Sequence, residues 1–389
     1  MKNFATIISL ISFPSLCSLK IDDRLNDGLT RDKRVVHYDN SLMEWFLDKD
    51  ESVSTELNYT IINKNILAAM EIISNNSCVK FEKNRIFKNY ILGIEITIVN
   101  DTYLMPKREL FKRSYFYLRE SCTKDVTCIF TNLMIYLGRS RESNRFDRDN
   151  YISIYRNNIK DWPGNCERIF QKREIWEKTM DTDYDYGSYF HVEKLECSKN
   201  GKFTVAAKDL IYDKMIGQRY RPNFNDWRLF NDAVCRNFCK KGIVCEYDSY
   251  PNYNKCDDTC VCPNGFEGTN CTSLTPSSYG CGEQVIYANT ISKVLFATSV
   301  KNCTFLIKSL KGKKIKLYIK GIYTMYEKIC FEKMGLEIKY KADKGVTGKC
   351  FCGLYRDISL KSDNDEVLVQ YTGKLPGHYF KLHYYESNS

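Results

Sequence analysis

Histidine is scarce in this chain. Of 389 residues only four are histidine: His37, His191, His378 and His383. No three lie in one short segment, which excludes a compact metal site built from three neighbouring imidazoles. Long apolar runs are also missing: after residue 18 none approaches the ~20 residues of a membrane-spanning helix. No acidic calcium-binding motif precedes Cys239, so that stretch has no sequence basis for holding a hard cation.

What is abundant sets the class. The composition is 43% hydrophobic and 14% aromatic, ample for a sizeable core, and the length suits two or three domains. Met1 and Lys2 precede a mostly apolar run over residues 4–16 that ends near the small residues Ser15, Cys17 and Ser18. This reads as a secretory signal peptide over residues 1–17. Residues 18–34 are polar and end in Arg31-Asp32-Lys33-Arg34, which reads either as a short pro-segment with a basic cleavage site or as a solvated linker. Removing Cys17 leaves 17 of the 18 cysteines, a number suited to an oxidising compartment. The odd count requires a free thiol or a bond to another chain. Five sequons, at Asn58, Asn75, Asn100, Asn270 and Asn302, fit a secreted glycoprotein.

Periodicity gives the local structure. Within residues 63–74, Ile66, Met70 and Ile73 recur at helical spacing, and the alternating stretch 78–81 follows as a strand. Residues 90–99 alternate and are β-branched, a second strand. Residues 125–137 place Ile129, Leu133, Tyr136 and Leu137 on helical steps, with Gly138 where a helix stops.

That helix opens the most informative stretch, residues 131–151, TNLMIYLGRSRESNRFDRDNY. Its Gly138, Glu142, Arg145 and Asp147-Arg148-Asp149-Asn150-Tyr151 resemble the active-site region of the astacin zinc peptidases, HExxHxxGxxHExxRxDRDxY. SCVKF at residues 77–81 resembles the family's first landmark strand. Residues 184–192, YDYGSYFHV, resemble its Met-turn, and residues 198–204 and 216–219 match later landmarks. The resemblance implies an α+β, two-lobed metzincin-like domain over residues 35–235, with a twisted mixed sheet above and an irregular lobe below. It also implies a disulfide between Cys78 and Cys235.

Laid over the motif, the three zinc-ligand places fall on Thr131, Ile135 and Arg141, and the general-base place on Asn132. Threonine and isoleucine cannot replace imidazoles, and Arg141 puts a fixed cation where a dication should sit. Asn132 cannot accept a proton near neutral pH. Loss of a general base costs about 10²–10⁴ in rate, and loss of the metal removes water activation as well. Phe190 stands where the Met-turn methionine packs, Val192 replaces a tyrosine, and His191 is retained. The expectation is a homologue without catalytic or metal-ligating residues, using no cofactor, with zinc only where the family activity persists. The alternative is a substituted site of His191 with Glu142, Asp147 or Asp149. Otherwise Arg145, Asp147, Arg148 and Asp149 form a surface or packing ion-pair cluster. No cysteine lies between Cys78 and Cys122, so Cys122, Cys128, Cys166 and Cys197 have no assignable partners. Residues 101–120 also lack the family's glycine-containing edge motif, which weakens the case for peptide docking by strand addition.

Two further modules follow. Cys239, Cys245, Cys256, Cys260, Cys262 and Cys271 have the spacing of an EGF-like module over residues 236–272. The resemblance implies the pairs Cys239–Cys256, Cys245–Cys260 and Cys262–Cys271. Residues 273–389 carry short alternating strands, as in 314–319, with Cys281, Cys303, Cys330 and either Cys350 or Cys352. They resemble a CUB β-sandwich, a module for protein contact. From residue 272 onward 18 Lys and Arg face 10 Asp and Glu, most of the chain's +10 excess. The expected partners are extracellular proteins or peptides, with an acidic polysaccharide on the basic CUB-like module and neither nucleic acid nor a membrane span. A solvated strand edge guarded by lysines is the simpler reading of the same charge. An extracellular matrix or adhesion glycoprotein binding through its tail, and an active zinc endopeptidase with unconventional ligands, are the alternative functions.

Overall fold

The computed structural model describes residues 56–83, 93–100, 114–160, 165–173, 182–236, 238–239 and 242–387, with backbone strands at 19–20, 37–38 and 42–47. The signal-peptide and pro-segment readings, and the side chains of His37 and Asn58, lie outside the described residues. So does most of the edge segment 101–120. Two compact units form. The first holds the chain up to Leu133 with Ala233–Phe238, and the second Met134–Asp232 with Cys239–Ser389.

In the first unit, helix α1 (Glu56–Asn76) buries Ile62, Ile66, Ala69, Met70 and Ile73. These positions lie on one helical stripe, which is what drives the helix to pack. It runs longer at both ends than the three-residue signal indicated, because flanking polar residues continue the helix. Strands align in the order Lys80–Lys83, Leu42–Leu47, Gly93–Val99, Ser114–Arg119. All three pairings are parallel, so among the described residues the expected mixed sheet is a parallel one. The cause is the connection: α1 lies between Leu42–Leu47 and Lys80–Lys83, and a helical crossover returns the chain in the same direction. Ile94, Ile96 and Ile98 are buried, as are Phe116 and Leu118. The Cys78–Cys235 disulfide closes a loop of 157 residues, worth about 5 kcal/mol in the chain-entropy model.

Helix α2 (Val126–Tyr136) begins where Asp125 accepts a bond from the Thr127 amide at 2.8 Å. It ends at Gly138, whose φ of 112° suits only glycine. The boundary between the units falls inside α2, after Leu133.

The second unit opens with little regular structure: short 3-10 turns, α3 (Asn165–Phe170), the antiparallel pair Ile152–Ile154 with Val205–Ala207, and most of α4 (Phe224–Val234). Cys166 pairs with Cys197 here, and in the first unit Cys122 pairs with Cys128, so the four unassigned cysteines bond within their own segments. Cys239–Cys256, Cys245–Cys260 and Cys262–Cys271 join two small hairpins. Phe266 and Cys271 of that module share a small core with Leu306 and Leu368 of the sandwich.

The sandwich has a five-stranded sheet, in the order Val285–Tyr287, Asn302–Lys308, Glu366–Thr372, Leu336–Lys339, Lys349–Phe351. The four-stranded sheet runs Lys293–Thr298, Tyr379–Ser387, Lys314–Tyr323, Leu354–Lys361. Phe305, Ile307, Leu317, Ile319, Val369 and Phe380 fill the core between them. Cys281 pairs with Cys303 and Cys330 with Cys352, which leaves the buried Cys350 as the free thiol among the described residues.

Candidate functional site

At two of the four catalytic places the side chain is occupied locally. Thr131 donates its hydroxyl to the Thr127 carbonyl at 2.7 Å, one turn back along α2. Asn132 is exposed and donates to the Cys128 carbonyl at 2.9 Å, beside the Cys122–Cys128 disulfide. In the second unit Ile135 offers only hydrocarbon. The pKa of Arg141 is lowered, first by burial and then by the charge of Arg219, against the opposing pull of Glu196. No oxygen, nitrogen or sulfur lone pair is offered at two of the three ligand places. Zinc, the metal that the motif implies, does not fit this donor set.

The retained His191 is fully buried and committed. Its Nδ1 lies 2.9 Å from the Val192 carbonyl, which requires the proton there, and its Nε2 accepts from the Tyr184 hydroxyl at 2.8 Å. Burial pulls its pKa down to about 4. Phe190 and Val192 beside it are fully buried. Tyr184 stacks on Tyr151 at 4.6 Å and meets Tyr186 edge-on at 5.0 Å. The alternative set of His191 with Glu142, Asp147 or Asp149 is not assembled. Each carboxylate has a cation instead: Arg145 bonds Glu142 at 3.2 Å and Asp147 at 2.8 Å, and Asp149 pairs with Arg148 and Lys172. Among the described residues no group of three or more His, Cys, Asp or Glu could hold a metal ion.

The second unit builds a buried charge frame. Glu142 accepts from the Asp185 amide at 3.0 Å as well as from Arg145. Arg139 lies 2.7 Å from Asp226 and 3.7 Å from Glu142, and its guanidinium sits 5.1 Å from the centre of the Phe190 ring. Asp226 also accepts from the Ser188 hydroxyl at 2.6 Å and the Tyr189 amide at 2.8 Å. Burial disfavours the charge on Arg145, but bonds to Asp147 and the nearby charges of Glu142 and Asp147 outweigh it and raise its pKa. Arg148 donates to the Ser143 and Phe170 carbonyls. The ion-pair cluster is therefore mainly internal, with Arg145 and Arg148 buried and Asp149 outside.

The frame continues into the sandwich. Asp185 accepts from Asn223 at 2.8 Å and from the Thr347 amide at 3.2 Å, and Asn223 also donates to the Thr347 hydroxyl at 2.7 Å. Burial, then the charges of Asp226 and Glu142, push the Asp185 carboxyl up to about 7. Arg228 makes a two-pronged pair with Asp343 at 3.0 and 2.7 Å, and Lys349 meets Asp209 at 2.6 Å. Sequence reasoning missed Arg139, Asp185, Asn223 and Asp226. One signal was there: Asn223 and Asp226 are spaced as a capping box at the start of α4, and each binds the other's backbone amide, at 2.8 and 3.1 Å.

This arrangement neutralises charge internally and presents neither a titratable base nor an imidazole, thiolate or carboxylate donor at the catalytic places. The family model for astacin, a peptidase family, matches residues 50–235. The zinc metalloproteinase nas-34 of Caenorhabditis elegans is 32% identical over 248 residues, 64% of this chain and 40% of that protein. The zinc metalloproteinase dpy-31 of the same organism is 26% identical over 363 residues, 88% of this chain and 59% of that one. The chain thus spans about half the length of these curated relatives. Among solved structures, high choriolytic enzyme 1, a hatching enzyme zinc-protease from Oryzias latipes, is 19% identical. That match covers 50% of this chain and 88% of that one, with a TM-score of 0.40. The CUB1-EGF-CUB2 domain of human MASP-1/3 is 15% identical over 39% of this chain and 57% of that one, with a TM-score of 0.22. With the motif frame running from α1 to Cys235 and the family model matching residues 50–235, this chain carries an astacin-type domain and is a metallopeptidase-like homologue of that family.

Proposed function

We propose that this protein is a secreted astacin homologue that does not hydrolyse peptide bonds and acts by binding extracellular proteins or peptides. One observation carries the reading. The residues at the ligand and base places are chemically unable to hold zinc or move a proton, while the scaffold charges that follow them in the chain remain paired. An enzyme with an unconventional site would need a substitute donor set, and His191, the histidine of this lobe, has both ring nitrogens engaged. The eight disulfides among the described residues and the sequons support an exported glycoprotein, and no described helix is long and apolar enough to cross a membrane.

A second reading, an adhesion glycoprotein binding through its tail, draws support from the joint packing of residues 239–389 with the lobe of 134–232 in one compact unit. The basic tail adds acidic polysaccharide as a partner class. Metal analysis of the purified secreted protein, with a peptide-cleavage assay, tests the main proposal. The expected result is zinc far below one per chain and no chelator-sensitive cleavage. Stoichiometric zinc with cleavage abolished by a chelator overturns it.

A further inference from the structure

The two sheets of the sandwich treat their charges differently. In the five-stranded sheet Lys308 pairs with Glu366 at 2.8 Å, Lys339 with Glu337 at 3.8 Å, and Lys349 with Asp209 at 2.6 Å. In the four-stranded sheet seven Lys and Arg stand among the strand residues against two carboxylates, Asp357 and Glu386. Asp357 is already taken, bonded by the Tyr318 hydroxyl and 3.7 Å from Lys320. Strand register fixes what lies together on the outer face. Lys316 stands opposite Lys361 on one side and Tyr385 on the other. Tyr318 lies next to His383, and Lys381 next to Phe296. Lys316, Lys361 and Lys381 are exposed and form no ion pair with any described residue, and Phe296 is 62% exposed.

We propose that this outer face, with Lys316, Lys361 and Lys381 around Tyr318, Tyr385 and Phe296, binds a sulfated polysaccharide. The inference rests on the binding role proposed above and gives it a face and a ligand chemistry. Charge complementarity selects a polyanion, because the excess is not neutralised within the sheet. Neighbouring strands set cations ~4.8 Å apart and alternate residues ~7 Å apart, so a linear polymer with repeated anionic groups meets several at once. The exposed Phe296 ring and the half-buried rings of Tyr318 and Tyr385 beside the lysines offer apolar surface for sugar rings. Lysine is depleted at the cores of protein–protein interfaces, which disfavours an acidic protein as the occupant.

The test uses the full-length secreted protein and heparin as the probe, with affinity measured across a salt series. The charge-reversed variant K316E/K361E/K381E is compared with K311E/K328E/K374E, which has the same net charge but exposed loop lysines reversed. The face variant should lose at least about tenfold in affinity with a shallower salt dependence, while the loop variant stays within about twofold. Phe296→Ala should lose affinity with the salt slope unchanged. Thermal unfolding of each variant guards against misfolding, because all three lysines are exposed. Equal losses in both triple variants, no heparin binding by the wild type, or equal binding to desulfated heparin, polyglutamate or phosphatidylserine vesicles overturns the proposal. Zinc content and cleavage measured on the same preparations fail or hold independently of these outcomes.

Discussion

The catalytic places and the buried charge frame differ in what their side chains are engaged with. At Thr131, Asn132, Ile135 and Arg141 the groups that would serve chemistry are a back-bonded hydroxyl, an exposed amide, a hydrocarbon and a cation. At Glu142, Arg145, Asp185 and Asp226 every carboxylate has a partner and burial is close to complete. The difference is energetic. A metal site can be lost without unfolding when a 157-residue disulfide loop and a packed core remain. A buried charge cannot be lost alone, because its partner stays behind unpaired. In this chain the frame's carboxylates and guanidinium groups are held by one another, whereas the catalytic places offer no such mutual pairing.

The largest effect should come from the frame. Asp226→Ala removes the 2.7 Å partner of the Arg139 guanidinium, 4% exposed, leaving it Glu142 at 3.7 Å, and removes the acceptor for Ser188 and Tyr189. A loss of about 3–5 kcal/mol is expected, read by denaturant unfolding or by secreted yield. An unchanged midpoint would mean that the frame is not what holds this lobe together.

Next come two opposing pH responses. Asp185 titrates at about 7 folded, above its ordinary 3.8, so its contribution is fully present below about pH 4 and is lost as pH rises through 7. His191 titrates at about 4, below its ordinary 6.5, so its contribution is present above 6.5 and is lost as pH falls through 4. They are worth about 4 kcal/mol for Asp185 and about 3 kcal/mol for His191 across their windows, and they oppose one another between pH 4 and 6.5. Stability measured from pH 4 to 7 should therefore be comparatively flat in the wild type. It should fall with rising pH in His191→Gln and rise with pH in Asp185→Asn. Parallel slopes in the two variants would sink this assignment.

A smaller effect probes the junction with the sandwich. A Cβ on Gly187 would sit 2.8 Å from the Thr347 hydroxyl oxygen and 2.9 Å from its Cβ. Gly187→Ala should cost about 1–3 kcal/mol through overpacking, and Thr347→Gly in the same chain should restore part of it. Lack of rescue would show the two residues to be uncoupled. The smallest effect belongs to the catalytic places: Asn132→Glu alone should change neither zinc content nor peptide cleavage, because no ligand set accompanies it. A gain of chelator-sensitive cleavage would show that the emptied places still enclose a metal.

Much of this was legible in the chain. The stripe of Ile66, Met70 and Ile73, the stop at Gly138 and the six closely spaced cysteines are local patterns, each set by a few neighbouring residues. The strand Leu42–Leu47 and the parallel order around it were not legible, because strand pairing depends on how the α1 crossover returns the chain. The partners of Cys122, Cys128, Cys166 and Cys197 were open for the same reason: spacing alone fits several connectivities.

What the sequence determined by itself is chemical: without histidines and a carboxylate at residues 131–141, the side chains there cannot hold zinc or act as a base, whatever their arrangement. What only tertiary structure decided is the burden carried by the charges left behind. Arg139, Asp226 and Asp185 look like ordinary polar residues in the chain, 46 and 41 positions separating each from the next in order of Arg139, Asp185 and Asp226. Folding takes them out of water together, and in that low-dielectric setting each becomes costly to remove.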